Sequence, residues 1–102
     1  VQIEAKLSRD DTVLTIFIEG DFNFSLLQQF RGAYNTSAAS AAKKIIVDLR
    51  KTLTVDSTAL GMLLSMQKEL SVEDKAISII NCNAVVRKIF GITNFDKKFT
   101  IE

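Results

Sequence analysis

The sequence predicts an α/β fold, a mixed β-sheet packed with helices in the order β-β-α-β-α-β-α-β. Three observations carry that prediction. Short β-branched and apolar runs alternate with longer segments whose apolar residues recur at helical spacing. Strand–helix–strand units imply parallel pairing with right-handed crossovers. The first two strand runs are joined by a turn too short for a crossover, which adds an antiparallel hairpin. A chain of 102 residues without proline or internal repeat reads as one domain over residues 1–102.

The elements follow in order. Residues 1–7 alternate, with Ile3, Ala5 and Leu7 on one side and Gln2, Glu4 and Lys6 on the other, as a half-buried strand does. Ser8 to Asp11 is polar turn material, and Val13 to Ile18 is a second strand rich in β-branched residues. Gly20-Asp21 ends it. Leu26, Leu27, Phe30 and Tyr34 then share a helical face, with Asn23 or Ser25 as the cap. The small-residue run Thr36 to Ala42 reads as a fraying helix end and loop. Ile45-Ile46-Val47-Asp48-Leu49 is a continuous apolar run of the kind found in strands covered on both faces.

Arg50 to Thr54 reads as a connecting loop, and a second helix runs from Ser57 to about Leu70. Leu60, Leu63, Leu64, Gln67 and Leu70 lie along one of its faces, with Met62 and Met66 on a neighbouring stripe. Methionines so placed suit a core edge, and their adaptable side chains also suit a partner surface. Ser71 to Lys75 turns the chain into strand Ala76–Ile80. Asn81 and Asn83 offer caps for a short helix from Ala84 to Phe90, with Gly91 at its C-terminal end. Phe99-Thr100-Ile101 adds an edge strand.

Composition removes several function classes. A hydrophobic fraction of 47% with 25% charged residues is globular rather than disordered. The net charge is +1 and scattered, without the basic stripe that nucleic-acid binding requires. The chain has no histidine, which excludes Ser-His-Asp and Cys-His nucleophile systems, histidine metal sites and histidine acid–base catalysis within it. Cys82 is the single cysteine, so neither an intrachain disulfide nor a cysteine metal cluster can form. It lies beside the apolar run Ile77–Ile80 and reads as buried filler. No signal-peptide pattern is visible, and no apolar run approaches the ~20 residues of a membrane span. A cytoplasmic setting, with neither membrane nor nucleic acid as partner, is the expectation.

Chemistry concentrates at Asp56-Ser57-Thr58, where a strand feeds a helix. All three residue types are good N-caps, worth ~0.5–2 kcal/mol against alanine, and capping by itself accounts for them. Phosphorylation of Ser57 is compatible with that role, because a first helical turn presents free N–H groups to an anion. Nothing in the chain activates Ser57 as a nucleophile: the third residue after it is Leu60, not the lysine of a Ser-x-x-Lys pair. No Gly-rich phosphate loop occurs. Asp48 and Asp56 are two acids without metal-ligand spacing. No catalytic residue, metal or cofactor is expected, and chemistry at Ser57 must come from another protein.

The chain resembles STAS domains, the fold of bacterial anti-sigma factor antagonists. The resemblance rests on Gly20-Asp21-Phe22-Asn23, on Ile45 to Leu49 followed by Val55-Asp56-Ser57-Thr58-Ala59-Leu60-Gly61, and on Ala84 to Thr93. Ala59 stands where the family usually has glycine, and Asn23 where many members have aspartate. The resemblance implies a STAS-like single domain and phosphorylation at Ser57, the serine directly after the aspartate. It implies partner switching: the unphosphorylated protein binds an anti-sigma factor, a serine kinase (often that same factor) phosphorylates Ser57 from ATP, and a PPM-type, metal-dependent serine phosphatase reverses it. The implied switch surface is Asp21, Asn23, Asp56, Ser57, Thr58, Ala59, Met62 and Met66. The alternative is a non-switching STAS scaffold in a signalling or transporter assembly, with Ser57 acting only as a cap.

Overall fold

Strands β1 (Ile3–Leu7) and β2 (Val13–Ile18) form the expected antiparallel hairpin, pairing Ile3 with Ile18 and Leu7 with Leu14. The turn between them closes on Asp10, whose Oδ1 accepts from the Ser8 hydroxyl at 2.7 Å and the Thr12 hydroxyl at 2.7 Å. The computed structural model describes residues 2–71 and 76–102; of the turn expected over Ser71–Lys75, residues 72–75 lie outside the described residues. Strands β4 (Lys44–Asp48), β6 (Ala76–Ile80) and β7 (Thr100–Ile101) continue the sheet in parallel, giving the order β1-β2-β4-β6-β7. The C-terminal strand is an edge, as expected.

The order never reverses. Right-handed crossovers between successive parallel strands then place every intervening helix on the same face. Burial agrees: along β2 and β4, Leu14, Ile16, Ile18, Ile45 and Val47 are buried, whereas Val13, Thr15, Phe17 and Ile46 between them are half-exposed. The expectation that Ile45–Leu49 is covered on both faces is therefore corrected. Ile46 faces the uncovered side, and Asp48 on that side is buried by its own hydrogen bonds and the Arg50 guanidinium, 3.7 Å away.

The helical layer begins with a 3-10 turn, Phe24–Leu26, capped by Asn23, and continues as α1 (Leu27–Tyr34). Phe22, Phe30 and Tyr34 pack ring against ring beneath it, with centroids 5.2 and 5.4 Å apart. The fraying helix end and loop expected over Thr36–Ala42 is instead a separate one-turn helix, α2 (Ser37–Ala41), capped by the Thr36 hydroxyl, which accepts the Ala39 N–H at 3.0 Å. Its methyl groups are what bury it, since Ala39 and Ala42 are in the core.

Helix α3 (Ser57–Ser71) matches the expected span, but its inner face is rotated. Ala59, Met62, Leu63, Met66 and Leu70 are buried, while Leu60, Leu64 and Gln67 flank the core. Helix α4 (Ala84–Ile92) runs through Gly91, which was expected to end it. The left-handed residue lies further on, at Asn94 with φ 61°. A stacked series Phe90–Phe95–Phe99 then carries the chain back to β7.

A second, two-stranded sheet pairs β3 (Gly20–Phe22) with β5 (Thr52–Val55) in parallel. The sequence reading treated the first as a strand end and the second as a loop. Gly20 makes the turn into β3 at φ +85°, a conformation that favours glycine.

Candidate functional site

The small sheet builds the site. Asp21 pairs with Thr54 and Phe22 with Val55, and the Asp56 N–H extends the ladder to the Phe22 carbonyl at 3.3 Å. Buried Phe22 and Val55 anchor both strands. Asp21 and Asn23 are thereby held beside the start of α3, where Asp56, Ser57 and Thr58 follow directly.

Asp56 is the N-cap. Its carbonyl accepts the Leu60 N–H at 3.1 Å, and Oδ1 accepts the Ala59 N–H at 2.9 Å. The Thr58 hydroxyl donates to the same oxygen at 2.6 Å. These bonds favour the ionised carboxylate, with Thr58 the largest cause and the Ala59 amide next, and hold the Asp56 carboxyl below its ordinary range. Thr58 therefore has its hydroxyl proton committed. Ser57 is exposed, and its Oγ has no hydrogen-bond partner among the described residues. The capping that the sequence left open among three residues falls to Asp56, and the Ser57 hydroxyl is left facing solvent.

Of the remaining surface candidates, Asp21 is exposed, and Asn23 is half-buried because its Oδ1 caps the 3-10 turn, accepting the Ser25 N–H at 3.0 Å. Ala59 and Met66 are corrected: both are fully buried, pointing with Leu63 into the core, and neither can be surface. Met62 is buried too, but its edge lines a groove between α1 and α3. The sequence reading missed that groove and Phe24 at its mouth, which is 65% exposed. A signal was present, since Phe24 lies between polar Asn23 and Ser25 and off the apolar face of α1.

The other chemistry-bearing groups are engaged elsewhere. Asp48 Oδ1 accepts from the Arg50 N–H at 2.9 Å and the Asn81 amide at 3.2 Å. Burial pushes the half-buried Cys82 thiol up, opposed in part by Arg87. Among the described residues no group of three or more His, Cys, Asp or Glu could hold a metal ion. Nor is any described helix long and apolar enough to cross a membrane.

This one-faced mixed sheet, with a helix opening on Asp-Ser-Thr beside a two-stranded flap, defines a STAS domain, and the chain belongs to that family: the model described as Mlab, STAS domain, matches residues 5–101. A STAS-domain containing protein of Pseudomonas aeruginosa (strain UCBPP-PA14) is 43% identical over 97% of each chain. Among solved structures, the anti-sigma factor antagonist SpoIIAA in its unphosphorylated form superimposes with TM-score 0.70, at 20% identity over 87% of this chain and 81% of that one. The Bacillus cell fate determinant SpoIIAA in its phosphorylated form gives 0.74, at 18% identity over 98% and 90%. A sulfate transporter family protein from Wolinella succinogenes gives 0.76, at 15% identity over 91% and 74%. At these identities the structural likenesses show the fold.

Proposed function

We propose that the protein is an anti-sigma factor antagonist that acts by partner switching, with Ser57 as its phosphorylation site. The observation that carries this reading is the division of labour at the start of α3. Asp56 supplies the cap and Thr58 is bonded to it, which leaves the exposed Ser57 Oγ as the unengaged hydroxyl of the motif. A related fold, SpoIIAA, exists in phosphorylated and unphosphorylated forms and is an anti-sigma factor antagonist, which supports carrying that activity to this chain.

The chemistry is a transfer from ATP supplied by a serine kinase. Ser57 Oγ forms the new P–O bond and loses its proton, while the γ-phosphoryl leaves ADP. A PPM-type phosphatase returns the hydroxyl by hydrolysis. The phosphate adds about −1.5 to −2 charges beside Asp56, on a surface that also carries Asp21. Stabilisation of an anion by a helix terminus is only ~0.3–1 kcal/mol, too little to refold a domain. The switch is therefore local, by steric blocking and by charge repulsion at the interface.

The test is incubation with the cognate kinase and ATP. Wild-type protein should be labelled on Ser57 and the Ser57→Ala variant should not; label confined to another residue removes the site. A second reading, a non-switching subunit of a transporter assembly, has in its favour the likeness to a sulfate transporter family protein. Pull-downs with Ser57→Ala and Ser57→Asp separate the two. Partners indifferent to both variants favour the scaffold, and loss or exchange of a partner with Ser57→Asp alone favours the switch.

A further inference from the structure

Strand β1 forms one edge of the main sheet, and among the described residues its outer side is unpaired. The phase of its ladder is fixed at both ends: the Glu19 N–H donates to the Gln2 carbonyl and the Ser8 N–H to the Val13 carbonyl, each at 2.8 Å. Backbone groups alternate along an antiparallel strand. Gln2, Glu4, Lys6 and Ser8 therefore turn theirs toward β2, while the N–H and C=O groups of Ile3, Ala5 and Leu7 face outward. We propose that this edge pairs with the same edge of a second copy of the chain, antiparallel and centred on Ala5, joining two five-stranded sheets into one.

Charge selects both the occupant and the register. With a two-fold axis at Ala5, Glu4 of each copy lies opposite Lys6 of the other. These are the pairs that exchange no backbone bonds, so their side chains approach most closely. Within one chain the two side chains lie 3.7 Å apart and are exposed, so the paired strands gather four charges of alternating sign. Ala5 then pairs with Ala5 and Ile3 with Leu7, which gives every outward N–H and C=O a partner. An axis at Glu4 or at Lys6 sets like charges face to face, and an axis at Ile3 or Leu7 puts Glu4 opposite Gln2 or Lys6 opposite Ser8. Pairing Ala5 with Glu4 or Lys6 opposes outward groups to inward ones and forms no ladder.

The edge is open to a strand. Ala5 and Leu7 lie on the helix side of the sheet, opposite buried Ile16 and Leu14, yet both are exposed, so the helices leave this part of the edge clear. In the pair, Leu7 is covered by Ile3 of the second copy. Sheet edges are commonly guarded by proline, by a bulge or by a charge pointing inward. Strand β1 has none of these in its five residues and keeps an unshifted register with β2. Its guards are Glu4 and Lys6, and self-pairing satisfies both. The opposite edge, β7, has two residues, too few for such a ladder. The two-fold axis stands perpendicular to the sheet, so both helical layers lie on one side of it. No residue at the start of α3 takes part, and the pairing stands whether or not Ser57 is a phosphorylation site.

Sedimentation equilibrium of the full chain over a concentration series tests this, with charge variants as the discriminating arm. Wild type should show a monomer–dimer equilibrium. Glu4→Lys and Lys6→Glu change only exposed side chains, and each should weaken self-association at least about fivefold, because like charges then face each other across the axis. An equimolar mixture of the two variants should associate at least as tightly as wild type, and the exchanged double variant Glu4→Lys/Lys6→Glu should return to within about threefold of it. That recovery separates a lost contact from a damaged fold. Amide hydrogen exchange locates the contact: rising protein concentration should slow Ile3, Ala5 and Leu7, whose N–H groups face outward, in alternation with Glu4 and Lys6, which β2 already protects. A monomer at every concentration up to about 1 mM would overturn the proposal. So would a dimer indifferent to the single variants, a mixture that fails to recover, or slowed amides that map away from β1.

Discussion

At the level of single residues, the geometry of Asp56 separates two roles that the sequence superimposes. Aspartate, serine and threonine are all competent caps, and nothing in their order says which one turns its oxygen inward. Backbone register decides. Once Asp56 is the last residue before the helix, its Oδ1 reaches the Ala59 N–H at 2.9 Å and collects the Thr58 hydroxyl as well. Replacing Asp56 by alanine should cost ~1 kcal/mol in denaturant unfolding, whereas Asp56→Asn, still a capping residue, should cost a few tenths. The asparagine variant also reports on charge. The carboxyl of Asp56 is held below its ordinary value of 3.8 in the folded protein, so at acid pH the folded state binds fewer protons than the unfolded state. Its contribution is complete above 3.8 and is lost as pH falls through the lowered folded value. The difference between wild type and Asp56→Asn should accordingly be constant near neutral pH, begin to shrink near 3.8 and vanish only below the lowered folded value. A difference that persisted into strong acid would assign the effect to shape rather than charge.

At the level of elements, the periodic helices were legible and the short, irregular pieces were not. Helix α3 matches its expected span because its apolar positions, Ala59 to Leu70, recur over about three turns. Its inner face was misjudged because Leu60 and Leu64 weigh as heavily in a pattern as the buried Met62 and Met66. Strands β3 and β5 escaped notice because, as short strands of three and four residues, they hold too few positions for a period-two pattern. Their pairing depends on a contact 30 or so residues away, which no local window contains. Helix α2 looks like a fraying helix end and loop in the sequence for a related reason, since alanine and serine carry no face. Asn83 holds one of these hidden elements in place. Its Oδ1 accepts the Val86 N–H at 2.8 Å to cap α4, while its amide donates to the Thr52 and Leu53 carbonyls of β5 at 3.1 and 3.0 Å. Asn83→Ala should therefore cost ~1–3 kcal/mol, more than a cap by itself. Asn83→Asp keeps the cap but turns an acceptor toward two carbonyls, and it should fail to restore the loss. Full recovery in thermal unfolding would mean that the tie to β5 carries no weight.

At the level of the whole molecule, the sheet order and the handedness of its crossovers decide what any strand residue does. The parallel sheet and its leading hairpin were readable from the alternation of strand and helix. The bareness of one face was not, because Ile45–Leu49 is as apolar as a strand enclosed on both sides. Only the unbroken order β1-β2-β4-β6-β7 puts all the helices together, and with them the core, leaving Val13, Thr15, Phe17 and Ile46 half-exposed opposite. Two adjacent isoleucines of the same strand then differ in kind. Ile45 is fully buried against the helices, and Ile45→Ala should cost ~2–5 kcal/mol by removing core atoms and leaving a cavity. Ile46→Thr keeps a β-branched side chain on the open side and should change stability by less than about 1 kcal/mol. Urea unfolding measures both, provided the slopes match, so that a shifted midpoint is a change in stability alone. Equal costs at the two positions would require a layer over the second face, and the one-sided architecture that gathers all helix starts, Ser57 among them, onto one side of the sheet would have to be abandoned.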